Sequence, residues 1–181
     1  MENYKKNLEL LTKNHVYTEE MEHDACGVGL IASTEGKKSR AIVEYGIEAL
    51  KAVWHRGAVD ADGKTGDGAG IHVEIPKDFF IEKIQVTGHD YDNSEICVGM
   101  IFLPRNDYSA QENCKTIVES ELTKNSFSIY GWRQVPVNPK VLGEKALQTM
   151  PEIIQVLFKP NDPNLIDKNL ERKIYETRKK I

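Results

Sequence analysis

Short apolar runs alternate with helix-patterned segments along most of this chain, and this alternation limits the folds open to it. Five runs are apolar enough to form strands covered on at least one face. They are residues 26–33, 71–75, 95–103, 127–137 and 153–159. Helical periodicity predicts helices at 3–14, 39–55, 77–84, 107–124, 142–150 and 165–180. The order fits an α/β fold with a parallel sheet or an α+β fold with an antiparallel one, and periodicity does not choose between them.

Composition places the chain among ordinary globular domains. Its 181 residues are 40% hydrophobic and 29% charged, which allows one domain with a core. The net charge of −4 argues against nucleic acid as a partner, because phosphate binding needs a clustered basic surface. No apolar run approaches the roughly 18–20 residues of a membrane span. Residues 1–25 also lack the apolar core of a secretory signal. We therefore expect a cytoplasmic protein with no nucleic acid and no membrane among its partners.

The three cysteines are spaced too widely for a metal-ligand pattern or a disulfide framework. Cys97 lies in an apolar run and is expected in the core, and Cys114 lies in a helical segment and is expected to be structural. Cys26 differs because it stands at the leading edge of a predicted strand, followed by Gly27 and Gly29. Taken alone, a cysteine on a buried strand is usually inert.

Residues 56–70 hold five glycines and three aspartates, so we expect a structured loop there. Backbone N–H groups of such a loop can point at a ligand. Arg56 adds a planar charged fork that suits a carboxylate. The plainer interpretation is a series of turns that need positive φ. The glycines form neither a dinucleotide fingerprint nor a phosphate-binding P-loop.

Three motifs occur in order along the chain. They are Glu-His-Asp-Ala-Cys-Gly-Val-Gly at 22–29, His-Arg-Gly-Ala at 55–58 and Thr-Gly-Asp-Gly-Ala-Gly-Ile at 65–71. With further stretches between 130 and 175, they closely resemble the N-terminal part of the amidotransferase domain of the glutamate synthase large subunit. That domain is a class II glutamine amidotransferase of the N-terminal nucleophile fold. The likeness covers residues 22–179.

The resemblance implies a fold, a maturation step and a reaction. The fold would be α+β, a truncated part of a four-layer α/β/β/α sandwich. Residues 1–25 would be a propeptide, and residues 26–181 the N-terminal portion of the amidotransferase domain. Removal of the propeptide would make Cys26 the first residue, with its own α-amino group as the base. Its thiol would attack glutamine, pass through a glutamyl thioester and release ammonia for 2-oxoglutarate.

The resemblance also implies the site residues and the partners. Cys26 would be the catalytic residue, and Arg56, Gly57, Asp67 and Gly68 would be the substrate-binding residues. A structural role is expected for His55, and no metal site is expected. Partners would be glutamine, the rest of the glutamate synthase large subunit and the small subunit. FMN and an iron–sulfur cluster are implied for the full-length enzyme, with no cofactor in this chain.

One departure from the family weakens the expectation of activity in this chain alone. The family builds its oxyanion hole with an Asn-Gly pair, and no Asn-Gly dipeptide occurs here. Losing one oxyanion donor costs about 10²- to 10³-fold in rate. We therefore expect an incomplete domain that is inactive alone, either a fragment or a short protein completed by another chain. The competing hypothesis is a non-catalytic subunit or scaffold that keeps the amidotransferase fold.

Overall fold

A computed structural model describes residues 2–14, 27–53 and 59–181. These residues fall into two compact units. Of the described residues, 2–14, 27–53 and 69–71 form the first unit, and 59–68 and 72–181 form the second. Each unit is described by itself.

The first unit contains two helices, α1 (Glu2–Lys13) and α2 (Arg40–Ala52). Both were predicted from periodicity. Helix α2 begins where the Ser39 hydroxyl accepts a hydrogen bond from the backbone N–H of Ala41 at 3.2 Å. A Ser side chain in this position satisfies one of the N–H groups that a helix start leaves without a partner.

The strand predicted at 26–33 is wrong for its described part. Residues 27–33 form no strand, and Val28 and Leu30 are more than 90% exposed. A strand requires a neighbouring strand to accept and donate its backbone hydrogen bonds. Within the described part of the chain, no segment pairs with these residues. Position 26 itself lies outside the described residues.

The second unit holds the remaining regular structure, in the order α3, β1, α4, β2, α5, β3 and α6. The bounds are α3 Lys77–Val86, β1 Cys97–Leu103, α4 Tyr108–Lys124, β2 Phe127–Gln134, α5 Glu144–Thr149, β3 Glu152–Pro160 and α6 Asp167–Arg178. All seven were predicted to within a few residues. A short 3₁₀ turn, Pro139–Val141, precedes α5. The strand predicted at 71–75 is wrong, because those residues have no regular structure and Ile71, Val73 and Ile75 stay at least a third exposed.

The three strands form an antiparallel sheet in the order β1-β3-β2. The second unit is therefore α+β, which resolves the choice that periodicity left open. Gly99 of β1 lies opposite Val156 of β3, and a Cβ at Gly99 would stand 2.7 Å from the Val156 Cγ1. A larger residue at this position would have to displace the buried Val156 side chain.

Two clusters of buried side chains cover the two faces of this sheet. Val156 and Leu157 are consecutive in β3, so they point to opposite faces. The Val156 cluster is formed by Cys97, Phe127 and Phe158 of the strands with Val118, Leu122 and Leu170 of α4 and α6. The Leu157 cluster is formed by Phe80, Ile84, Ile96 and Tyr130. Helix α3 therefore packs on one face, while α4 and α6 pack on the other.

The described residues contain this one sheet, so the second sheet of the four-layer sandwich stays a prediction. None of the helices within the described ranges is long and apolar enough to cross a membrane.

A polar network ties the segment before β1 to the sheet. The buried Tyr130 donates from its hydroxyl to Asp92 Oδ1 at 3.0 Å, and the backbone N–H of Ser94 donates to the same oxygen at 3.2 Å. Lys159 of β3 forms an ion pair with Asp92 Oδ2. The Lys159 ammonium, followed by the bonds from Ser94, holds the pKa of Asp92 well below its usual range.

This network predicts a loss of stability in acid. Because the folded pKa of Asp92 lies below the unfolded value near 3.8, the stabilisation is present above that value. This stabilisation is lost as the pH falls below the unfolded pKa towards the folded pKa. We expect Asp92→Asn to be less stable than the parent at pH 7 and to show a smaller further loss between pH 5 and pH 3. Urea unfolding at both ends of that range measures this. Asp90→Asn, the same charge change in the same segment, is the control, and equal pH slopes for the parent and Asp92→Asn would contradict the assignment.

Candidate active site

The residues predicted for the site divide between described and undescribed parts of the chain. Cys26, Arg56 and Gly57 lie outside the described residues, as does His55. Asp67 and Gly68 are described, and both are exposed. The predictions for Cys26, Arg56 and Gly57 therefore stay predictions, and the geometry that follows concerns the loop that leads to Asp67 and Gly68.

The described part of the predicted loop begins with a tight hairpin, residues 59–66. Val59 and Gly66 form an isolated antiparallel bridge, and the backbone N–H of Asp60 donates to the Thr65 carbonyl at 2.7 Å. The N–H of Gly63 closes the turn by donating to the Asp60 carbonyl at 2.9 Å. Gly63 has a φ of 68°, a conformation that glycine adopts without steric cost. Residues 59–66 are therefore structured, as predicted.

The carboxylate of Asp62 organises this hairpin. Its Oδ1 accepts hydrogen bonds from the backbone N–H groups of Lys64 at 2.9 Å and Thr65 at 2.7 Å. Its Oδ2 accepts from the Thr65 hydroxyl at 2.5 Å. A further bond comes from the backbone N–H of Glu144. The Thr65 hydroxyl, and then these backbone donors, keep the pKa of Asp62 well below its usual range. Asp62 is therefore a carboxylate throughout the physiological pH range.

The start of helix α5 approaches the hairpin closely at Gly143. This residue is buried and occupies the N-cap of α5, where it offers no side chain to the N–H groups of the first turn. A Cβ at position 143 would lie 2.5 Å from the backbone nitrogen of Thr65 and would also meet side-chain oxygens of Asp62 and Thr65. The Asp62 carboxylate thus takes the place that a capping side chain fills in other helices.

Sequence reasoning missed both Asp62 and Gly143. Asp62 is one of three aspartates in the loop, and the composition of the loop does not distinguish it from the other two. A signal did exist at Gly143, since a helix start that carries glycine in place of a capping side chain leaves its first N–H groups in need of another acceptor.

A separate cleft of about 370 Å³ lies near the start of α4. Its lining includes Arg105, Tyr108, Lys115, Gln134 and Glu152 and contains none of the predicted site residues. The amide of Gln111 on its wall already donates to the Pro104 carbonyl at 2.7 Å. The cleft therefore carries no chemistry that connects it to the predicted reaction.

The two described cysteines match their predicted structural roles. Cys97 is buried in the Val156 cluster, and Cys114 is half-buried on α4. Burial, with help from the carboxylates of Glu171 and Glu95, raises the pKa of the Cys97 thiol to about 12. Since the thiolate is the nucleophile, Cys97 is chemically silent near neutral pH. Within residues 2–14, 27–53 and 59–181, no group of three histidine, cysteine, aspartate or glutamate side chains is placed to hold a metal ion.

Comparison with known proteins identifies relatives over nearly the whole chain. The glutamate synthase [NADPH] large chain of Azospirillum brasilense is 52% identical over 178 residues, which is 98% of this chain and 12% of the relative. The ferredoxin-dependent glutamate synthase 1 (chloroplastic/mitochondrial) of Arabidopsis thaliana is 39% identical over 161 residues, which is 88% of this chain and 10% of the relative. The chain therefore spans only about a tenth of the length of these relatives.

The family comparison agrees with the resemblance seen in the motifs. The model of the class-II glutamine amidotransferases matches residues 26–181, starting at Cys26. The match covers well over half of the chain. The protein therefore belongs to the class-II glutamine amidotransferase family.

Proposed function

We propose that this chain supplies the glutamine-hydrolysing step of a glutamate synthase, with Cys26 as the nucleophile. The observation that carries the proposal is the family match, which begins at Cys26 itself. The high identity with a glutamate synthase large chain over 98% of this chain points to the same enzyme class.

In this proposal, residues 1–25 are a propeptide and the chain is cut between Ala25 and Cys26. The cut converts the Cys26 amide nitrogen, which is not basic, into an α-amino group with a pKa near 8. That amine takes the thiol proton as the sulfur attacks the side-chain amide carbon of glutamine. It then returns the proton to the departing nitrogen, so ammonia leaves and a glutamyl thioester remains. Water hydrolyses the thioester, which releases glutamate and restores the thiol.

Four further residues complete the proposed site. The Arg56 guanidinium has the shape and charge to bind the α-carboxylate of glutamine. Gly57, Asp67 and Gly68 keep the backbone close to the substrate and hold the loop in place. Support for this comes from the hairpin that precedes Asp67, which is compact and closed by backbone hydrogen bonds.

We also propose that the chain is part of the four-layer sandwich of the N-terminal nucleophile fold. Two apolar segments with strand patterning support this, namely residues 27–33 and 71–75. Val28, Leu30, Ile71 and Val73 within them are between 45% and 94% exposed, which is unfavourable for side chains of this kind in water. A further sheet that includes these segments, as in the family fold, would cover these side chains.

An iron–sulfur cluster, implied together with FMN for a complete glutamate synthase, does not fit the described residues. A cluster is held by cysteine thiolates, whereas Cys97 is buried with its thiol pKa raised to about 12. We therefore place both groups elsewhere in the glutamate synthase, with the rest of the large subunit and the small subunit as partners. Ammonia from glutamine would aminate 2-oxoglutarate there.

We also propose that the protein is cytoplasmic, because three widely spaced cysteines suit that reducing compartment.

The proposal predicts a processed N-terminus and one reactive thiol. After expression and incubation, intact mass is expected to show loss of residues 1–25. A glutamine-analogue electrophile is then expected to add one mass increment at Cys26, at least about tenfold faster than at Cys97 or Cys114, because only Cys26 has a neighbouring base. Peptide mapping after the reaction locates the adduct. Retention of residues 1–25 after long incubation, or equal labelling of all three thiols, would contradict the proposal and favour a non-catalytic role.

A further inference from the structure

The hairpin 59–66 is held by polar contacts and not by an apolar core. Most of its residues are exposed, and Val59, its one large apolar side chain, is 62% exposed. Hydrophobic burial therefore contributes little to its position. The position of the hairpin must come from the contacts that its polar groups make with the rest of the second unit.

The Asp62 carboxylate supplies the central contacts. Its Oδ1 accepts from the backbone N–H groups of Lys64 and Thr65, and its Oδ2 lies so close to the start of α5 that it would meet a Cβ at Gly143. Hydrogen bonds to an ionised group are roughly twice as strong as neutral ones. One side chain therefore fixes the shape of the hairpin and also lies against the start of α5.

Gly143 supplies the space that this attachment needs. Its backbone angles, φ −73° and ψ 167°, are open to any residue, so the glycine is not required for conformation. It is required for contact, because a Cβ there would lie 2.5 Å from the Thr65 backbone nitrogen. The clash is with backbone, which cannot rotate away as a long side chain can. Any larger residue must push the hairpin off α5.

A second link joins the two segments. Lys145 of α5 forms an ion pair with Asp60 Oδ2 at 2.6 Å, in which the Lys145 side chain is 66% exposed. Exposed ion pairs contribute little to stability, because water and salt screen them. The close packing of Gly143 against Thr65 and Asp62 is therefore the contact that a substitution can test most directly.

The hairpin leads directly into two of the proposed glutamine-binding residues. Asp67 follows Gly66 without an intervening residue, and Gly68 comes next. We propose that Asp62 and Gly143 are positioning residues for glutamine hydrolysis, which fix the hairpin 59–66 on α5 and thereby place Asp67 and Gly68 for binding glutamine. This inference rests on the proposed function. Neither residue touches glutamine in this arrangement, and both act through the loop.

The experiment compares Gly143→Ala, Asp62→Ala and Asp62→Asn with the parent, each within a complete glutamate synthase large chain that carries this sequence and has been processed at Cys26. Two matched controls make the same chemical changes elsewhere. Gly46→Ala adds a methyl group on α2, where nothing lies within 4 Å. Asp162→Ala removes a carboxylate that accepts a bond from the Asn164 backbone at 2.9 Å in the turn before α6. Thermal unfolding of each variant separates positioning from a general loss of stability.

Two readouts follow the loop and the site separately. Amide hydrogen exchange at residues 60, 63, 64 and 65 is expected to accelerate at least about tenfold in Gly143→Ala and Asp62→Ala. The rate at which a glutamine-analogue electrophile inactivates Cys26 is measured at increasing electrophile concentrations. This gives the half-saturating concentration of the electrophile and the limiting rate of inactivation. We expect the concentration to rise at least about tenfold, which is about the effect of losing one hydrogen bond to glutamine, and the limiting rate to change less than about threefold. Asp62→Asn keeps one acceptor oxygen and is expected to fall between the parent and Asp62→Ala.

Each outcome bears on the inference in a different way. A raised half-saturating concentration in the Asp62 and Gly143 variants, with both controls like the parent, supports it. Faster exchange with unchanged inactivation, or unchanged exchange, overturns it and leaves the proposed function standing. A limiting rate that falls as far as binding weakens also overturns it, because the residues would then act on the chemistry. If the parent itself is not modified at Cys26, the proposed function fails and this inference fails with it.

Discussion

Replacing Cys26 by alanine is expected to reduce glutamine hydrolysis by the processed protein to background, a loss of about 10⁴-fold or more. The sulfur forms the thioester, so its removal leaves no group to take the acyl chain from glutamine. Glutamate release from glutamine at saturating substrate tests this in a complete glutamate synthase large chain that carries this sequence. Cys114→Ala is the control, and its activity is expected to stay within about twofold of the parent, because Cys114 is half-buried on α4 and has no role in any proposed step. Substantial hydrolysis by Cys26→Ala would remove the nucleophile from the proposal.

Cys26 lies outside the described residues, and the structure speaks only about the other two thiols. Cys97 lies in the Val156 cluster with its pKa raised to about 12, so it supplies almost no thiolate near neutral pH. Cys114 lies on α4, a helix whose sequence neighbours contain no part of the three motifs. A loss of activity in Cys114→Ala at unchanged stability would therefore contradict both the motif assignment and the structure.

Sequence periodicity predicted the elements of the second unit well but not their arrangement. Helix α4 and strand β1 each carry a local pattern strong enough to set their type. The order β1-β3-β2 has no local signal, because β3 pairs with strands that lie far from it in the chain. The apolar runs at 27–33 and 71–75 show the limit of the method. An apolar pattern indicates that a segment can form a strand, but it does not indicate whether a second segment lies beside it to form the hydrogen bonds.

The residues of the candidate site show the same difference between local patterns and contacts that are distant in sequence. Cys26, Arg56 and Gly57 were found through motifs, which are local in sequence, and the described residues do not test them. The contact between Asp62 and Gly143 joins two segments that are distant in sequence. Glycine at the start of α5 signals that another acceptor is needed, but nothing local in the sequence identifies Asp62 as the group that lies there. The close approach only becomes visible when the hairpin and the start of α5 are seen together.

The packing of the sheet predicts the largest effect on stability. Phe127 begins β2, is 1% exposed, and meets Phe158 of β3 edge-to-face with ring centres 5.2 Å apart. Phe127→Ala is expected to lower the free energy of unfolding by about 3–5 kcal/mol, because α4 and α6 close over the ring and leave a cavity when it is removed. Urea unfolding followed by circular dichroism measures the change. A smaller slope of the free energy of unfolding against urea concentration would show that the cluster loosens as well.

Phe102→Ala is the matched control, since it makes the same substitution in the same sheet. Phe102 lies on β1 at 63% exposure, so truncation removes little buried surface and is expected to change the free energy of unfolding by about 0.5 kcal/mol. The comparison also tests the assignment of the Val156 cluster as the core. If the two variants lost equal stability, Phe102 would be covered in solution, and the exposed end of β1 would have to be part of a larger buried surface.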